Sequence, residues 1–331
     1  MAEPVRWGVL GAAKIAMDRL IPGMIEAPMT TVTAVASRTL SKAQDVTAQF
    51  GIPNAYGSYE ELLDDPEIEV VYVPLPNGLH AEWSIKALRA GKHVLCEKPI
   101  TVNADEAREI EKVRDETGLY CLEAYASRFN PVQIKAVEIA RSGALGELRF
   151  MHTISTFLMR EKDPNNVRLM ADIGGGALYD MGCYAVDAQR LLAGRVPQTA
   201  WAKMEWSERF DVDMAGTGIL DFGDGLLGTI QWGFNAPWGG PFSVIGEKGR
   251  LTGTYGWGTP GGKPAMILRT SGGTEEIFVE GANGHMLQVK DLSETVRGLH
   301  EPAYVSQPLT ADMRVIDALY ASQRSGEAEE V

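Results

Sequence analysis

Val5-Arg6-Trp7-Gly8-Val9-Leu10-Gly11-Ala12-Ala13-Lys14-Ile15-Ala16 runs from a short apolar strand, Val5 to Leu10, into a helix read over Ala13 to Ala27. The turn between them is Gly11-x-Ala13-x-x-Ala16, a G-x-A-x-x-A variant of the dinucleotide-binding fingerprint. Small residues at such a turn let the backbone N–H groups of the helix N-terminus approach a pyrophosphate. Gly11, Ala12, Ala13, Lys14 and Ile15 are therefore candidate cofactor-binding residues.

The pattern repeats outward from that turn. Thr31 to Ala36 is β-branched and strand-like, and Leu40 to Phe50 reads as a helix stopped by Gly51. Val70 to Val73 is a buried strand ended by Pro74, Gly78 to Ala90 a helix, and His93 to Cys96 a strand. Asn103 to Thr117 is a further helix, with Asn103 as its N-cap before Asp105 and Glu106. Alternating apolar strands and helices imply a parallel sheet covered on both faces, the doubly wound α/β class of the Rossmann type.

From about residue 146 to 280 the texture changes. Leu148 to Phe157, Gln198 to Trp206, Ala215 to Asp221 and Gly228 to Phe234 read as strands, with one helix, Gly176 to Leu192, among them. This is an α+β pattern with a large, mostly antiparallel sheet covered on one face. Gly253 to Lys263, with Tyr255 and Trp257, reads as a long loop or hairpin tip. Helices over Asn283 to Gly298 and Thr310 to Arg324 come next, and the tail Gly326 to Val331 is expected to fray. The expected domains are a nucleotide-binding domain over 1–123 and a substrate-binding, oligomerising domain over 124–331, whose late helices have the option of packing back on the first.

The 331 residues suit about two domains at roughly 150 residues each. A formal net charge of −13 argues against nucleic acid and anionic membrane surfaces as partners. No run approaches the roughly 20 apolar residues of a membrane helix, and no export signal is visible, so a cytoplasmic location is expected. Cys96, Cys121 and Cys183 are odd in number and lack metal-ligand spacing, which points to reduced, buried thiols and no metal site.

The end of the second strand decides the cofactor. Ala34-Val35-Ala36 is followed by Ser37 and Arg38, with Lys42 one helical turn on, where a site for NAD would carry a carboxylate toward the ribose hydroxyls. A hydroxyl and a guanidinium suit a 2′-phosphate, so NADP is expected over NAD.

Further motifs stand after later strands: Pro74-Leu75-Pro76-Asn77 with His80, and Glu97-Lys98-Pro99. Glu123-Ala-Tyr-Ala-Ser-Arg128-Phe-Asn-Pro131, Asn166-Val-Arg168-Leu169 and Gly174-Gly-Gly-Ala-Leu-Tyr-Asp180-Met-Gly-Cys-Tyr184 come after them. With the N-terminal fingerprint, these segments resemble the Gfo/Idh/MocA oxidoreductase family over nearly the whole chain. They are most similar to its branch of glucose–fructose oxidoreductase, NADP-dependent D-xylose dehydrogenase and dihydrodiol dehydrogenase, which has tyrosine at position 184 where others have histidine. The resemblance implies that Lys98 and Tyr184 are the catalytic acid–base pair, supported by Asp180. It also implies that Arg128, Asn166 and Arg168 meet substrate, Arg128 also meeting cofactor, and that Pro74, Leu75, Asn77, His80, Glu97 and Lys98 lie along the cofactor. A homodimer or homotetramer through the second sheet is implied as well.

The chemistry fits those residue types. Taking a hydride from an alcohol carbon leaves a hydroxyl proton that needs a base. A tyrosine near pKa 10 is too weakly ionised for this at neutral pH unless a cation such as Lys98 favours the phenolate. Asp180 and Tyr184, four apart, share one face of an α-helix. The expected function is an NADP-dependent oxidoreductase of a sugar (aldose or pyranose) or cyclic polyol. The alternatives are a nucleotide-binding regulator without turnover and an NAD-dependent glycosidase, the latter wanting an acidic residue in place of Ser37-Arg38. Trp232, Trp238 and Trp257 are candidates to stack on a sugar ring or to fill the sheet core or a subunit interface.

Overall fold

The protein's computed structural model describes residues 3–160, 163–254, 263–304 and 308–331. These form two compact units: Met1–Ala126 with Asn283–Thr310, and Ser127–Ala282 with Ala311–Val331. The helix Gly284–Val296 belongs with the first unit, the return that the sequence left open for the late helices.

In the first unit, β1 (Val5–Leu10), β2 (Thr30–Ala36), β3 (Asn54–Tyr56), β4 (Val70–Val73), β5 (His93–Cys96) and β6 (Cys121–Glu123) make a parallel sheet. Among the described residues its order is β3-β2-β1-β4-β5-β6, so the winding reverses between β1 and β4. This is the doubly wound topology, and its ligand crevice lies at the carboxyl ends of the strands at that reversal. The core holds Trp7, Val9, Leu20, Met24, Val35 and Tyr72, joined by Val289 and Leu292 of the late helix. Trp7 Nε1 donates to Ser293 Oγ at 3.0 Å, which fastens that helix to β1.

Local signals act as their chemistry requires. Asn103 Oδ1 accepts from the Glu106 N–H at 2.8 Å and starts the helix Ala104–Thr117. Gly51, at φ +69°, ends Leu40–Phe50. The first helix departs from its reading: Ala16–Leu20 is a π-helical turn, and the regular helix is Ile21–Glu26. Pro22 supplies the reason, since it has no N–H to close an α-helical bond and its ring crowds the turn before it.

The second unit is built on β7 (Leu148–Leu158), β8 (Thr199–Ser207), β9 (Val212–Asp221), β10 (Leu227–Gly233), β11 (Asn235–Gly239), β12 (Pro241–Gly246), β13 (Gly249–Thr254), β14 (Met266–Thr270), β15 (Gly273–Ile277) and β16 (Glu329–Glu330). The order is β15-β14-β13-β12-β7-β10-β9-β8-β16, with β11 added on β7. Among the described residues of this second sheet only β7 and β10 pair in parallel. Helices Cys183–Ala193 and Thr310–Ser325 pack on one face. Along β10, exposed and buried residues alternate until the last two, which leaves the opposite face open.

The tail does not fray. Glu329 pairs with Ala200 and Glu330 with Thr199 as an edge strand on β8, and Ser322 Oγ donates to Glu327 O at 2.6 Å to hold the approach. An edge strand offers a row of open backbone groups, and the last residues satisfy part of it. The loop read around Tyr255 and Trp257 lies outside the described residues.

Candidate active site

In the first unit, the motif residues stand at the carboxyl ends of neighbouring strands. Gly11 comes directly after β1 at φ +107°, and its N–H donates to Ala36 O at 2.7 Å. A Cβ there would be conformationally strained and would lie 3.2 Å from Leu75 Cδ2, so the turn requires glycine at this position. Leu75 stands just past β4, so this contact spans the topological reversal. Ser37 is buried after β2, whereas Arg38 and Lys42 are exposed beside it. Lys14 is exposed, 4.0 Å from Asp18.

The β5 end is braced by side chains. Tyr72 OH donates to Glu97 Oε1 at 2.7 Å, and the Lys98 N–H donates to Glu97 Oε2 at 3.3 Å. The Lys98–Pro99 peptide is cis. His80 is fully buried, with Nδ1 2.8 Å from Pro99 O and Nε2 2.7 Å from Leu75 O. It thus ties the loop after β4 to the loop after β5. Burial pushes its imidazole down to about 4 against the two carbonyl contacts, with the Lys98 charge adding to the fall.

Sequence reading missed Tyr59, on the helix Tyr59–Asp64. Its hydroxyl lies 3.7 Å from where a Cβ of Gly11 would stand. Burial raises its pKa while the neighbouring Arg38 pulls it the other way. The signal was Ser58, whose hydroxyl caps that helix by accepting from the Glu61 N–H at 3.2 Å.

In the second unit, Arg168 Nε donates to Asp180 Oδ2 at 2.7 Å. The Asp180 carboxylate raises the Arg168 pKa, with Tyr184 acting in the same direction, so carboxylate, guanidinium and phenol form one cluster. Asn166 Oδ1 accepts from the Arg168 N–H at 3.1 Å and shapes the turn that presents the guanidinium. Asp180 lies in a π-helical turn, Leu178–Gly182, that runs into Cys183–Ala193, so the register from Asp180 to Tyr184 is not the plain α-helical one expected.

Arg128 has another place. It is buried, with Nη2 2.9 Å from Asp187 Oδ1 and 3.2 Å from Asp312 Oδ2, and Arg190 Nε reaches Asp312 Oδ1 at 2.6 Å. Both carboxylates lie within ion-pair distance of its guanidinium, so the network braces this part of the second unit. Trp232 is likewise a core residue at 2% exposure, whereas Trp238 is 61% exposed. Cys96, Cys121 and Cys183 are buried thiols.

A doubly wound nucleotide-binding sheet followed by a large open sheet defines a class of two-unit oxidoreductases, and comparison with known proteins agrees. Residues 5–125 match the oxidoreductase family with NAD-binding Rossmann fold, and residues 134–252 match the GFO/IDH/MocA C-terminal domain. The chain belongs to the Gfo/Idh/MocA family. It is 33% identical to D-xylose 1-dehydrogenase (NADP(+)) 2 of Haloferax volcanii, over 98% of this chain and 99% of that one. Among solved structures it is similar to aldose-aldose oxidoreductase from Caulobacter crescentus complexed with glycerol, with TM-score 0.88, 27% identity, and 99% and 100% of the two chains covered. It is also similar to a 3-ketoreductase from Actinomadura kijaniata in complex with NADP and TDP-benzene, with TM-score 0.87, 29% identity, and 97% and 98% covered. Among the described residues no helix is long and apolar enough to cross a membrane.

Proposed function

We propose that this chain is an NADP-dependent oxidoreductase of a sugar or cyclic polyol, with an aldose oxidised at its anomeric carbon as the first substrate class. The observation that carries this reading is the Arg168–Asp180–Tyr184 cluster, a phenol beside a guanidinium–carboxylate pair, which suits moving a hydroxyl proton. The relatives named above, acting by their names on xylose, aldoses and a keto group, support the substrate class.

Gly11–Ile15 would hold the pyrophosphate, and Ser37, Arg38 and Lys42 the 2′-phosphate. The nicotinamide, when bound, supplies the hydride acceptor. Tyr184 takes the hydroxyl proton as the carbonyl forms, Lys98 favours the phenolate, and Asp180 with Arg168 orients the phenol. Reduction of a ketosugar uses the same groups in reverse.

We propose also a homodimer or homotetramer through the open sheet face. Phe150, Ile219 and Leu227 are exposed on it, beside a groove of about 780 Å³ lined by Ile154, Thr156, Lys203, Glu205 and Gln231. Such a patch marks an interaction surface. Light scattering of Phe150→Glu is expected to give a smaller species than wild type, and an unchanged mass removes this face as the interface.

The main test is cofactor reduction across aldoses, cyclic polyols and a dihydrodiol, each with NADP and NAD. Turnover with an aldose and NADP is expected, and Tyr184→Phe is expected to lower kcat by about 10²- to 10⁴-fold with NADP affinity unchanged. Full turnover in Tyr184→Phe overturns the mechanism.

A further inference from the structure

We propose that Asp213 is a positioning residue for the site helix: its carboxylate fixes where that helix starts and holds the π-helical turn that carries Asp180 toward Tyr184. This rests on the roles proposed above for those two residues.

Asp213 lies on β9 and is fully buried. Its Oδ2 accepts from the Leu178 backbone N–H at 2.8 Å and from Trp232 Nε1 at 2.8 Å, while Oδ1 accepts from Tyr320 OH at 2.8 Å. Leu178 is the first residue of the π-helical turn, so the carboxylate satisfies an N–H left open at the start of the helix. Trp232 meets the other end of the turn. A Cβ on Gly182, the turn's last residue, would lie 3.2 Å from Trp232 Cγ. Both ends of Leu178–Gly182 therefore touch the Asp213–Trp232 pair.

The surroundings leave no slack for an alternative register. Gly176 stands at φ +127°, and a Cβ on it would come within 2.4 Å of Asp213 Oδ1. A Cβ on Gly216 would come within 2.2 Å of Trp232 Cζ2. Sliding the helix by one residue would turn each side chain by about 100° around the axis, which carries Asp180 away from Arg168. A carboxylate inside a sheet core is costly compared with an apolar residue of the same volume, so packing alone does not account for it. Burial pushes the Asp213 carboxyl up, and the indole, phenol and amide donors pull it back toward the ionised form.

The test uses the full chain in two arms. Hydrogen exchange of the peptide spanning 176–186 needs no substrate, and kcat is read with D-xylose and NADP beside NADP affinity by fluorescence titration. Asp213→Ala is expected to speed exchange there by about tenfold and to lower kcat by about 10²-fold, with NADP affinity within about twofold of wild type. Asp213→Asn, whose oxygen still accepts from Leu178 and Trp232, is expected to restore both readouts to within about fivefold. Unchanged exchange in a folded Asp213→Ala overturns the proposal, as does Asp213→Asn falling as far as Asp213→Ala. If Asp213→Ala does not fold, Tyr320→Phe removes one donor and leaves the carboxylate. A smaller change in the same direction then supports the proposal, and no change refutes it. Tyr184→Phe run in parallel separates the two ideas, because its full turnover removes the role of Tyr184 while the exchange arm still judges Asp213.

Discussion

In the parallel-sheet unit, Gly11, Ser37, Leu75 and Lys98 each stand within two residues of a strand end, and the sheet order alone brings those ends to one edge. In the open-sheet unit, Asp180 and Tyr184 stand on a helical segment whose place depends on buried polar partners from β9, β10 and the last helix. A hydrogen-bonded strand cannot slip without losing its ladder, so topology places the residues just beyond its end. A helix on a sheet face has no such ladder. Its register is held by side chains, and those are charged and buried: Asp213, and the network in which Asp187 and Arg190 of the same helix meet Arg128 and Asp312.

The largest expected effect tests that contrast directly. Arg128→Met removes a cation from between two buried carboxylates and is expected to cost about 3–5 kcal/mol, read as a lower denaturant midpoint. Lys98→Met, at a strand end, is expected to leave that midpoint nearly unchanged, and an equal loss would break the comparison. Next in size is the acid response of His80, the side-chain brace in the first unit. Its folded pKa of about 4 lies below the ordinary 6.5, so as pH falls through that window the unfolded chain takes up a proton that the folded one does not. Stability is therefore expected to fall with pH by up to about 3 kcal/mol, with the loss complete below the folded value. Denaturation of wild type against His80→Gln across that range checks it, and identical pH slopes would refute it.

Arg38→Ala sharpens the cofactor side. It is expected to weaken NADP by about 1.5–3 kcal/mol while NAD affinity stays level, as charge-assisted bonds to a phosphate imply. Equal preference for the two cofactors in variant and wild type would refute the 2′-phosphate site. The smallest effect is Asn103→Ala, expected to cost about 1 kcal/mol in thermal or chemical denaturation through one lost helix cap. A loss as large as that of Arg128→Met would mean that local signals in the first unit carry long-range weight.

What the sequence determined by itself is local or topological. The strands Val5–Leu10, Val70–Val73 and His93–Cys96, the cap at Asn103 and the stop at Gly51 are set by neighbours a few positions away. The Gly11 turn, Ser37-Arg38 and Glu97-Lys98 were legible because a parallel sheet turns strand order into site geometry. The late helix's place against Trp7, the pairing of Glu329–Glu330 with β8, and the true setting of Arg128 were decided only in the tertiary structure. Asp213 belongs with them, since Leu178 is 35 positions from it and Tyr320 is 107, while Arg128 and Asp312 stand 184 apart. A buried charge is specified by partners that only folding assembles, and no spacing pattern along the chain announces them.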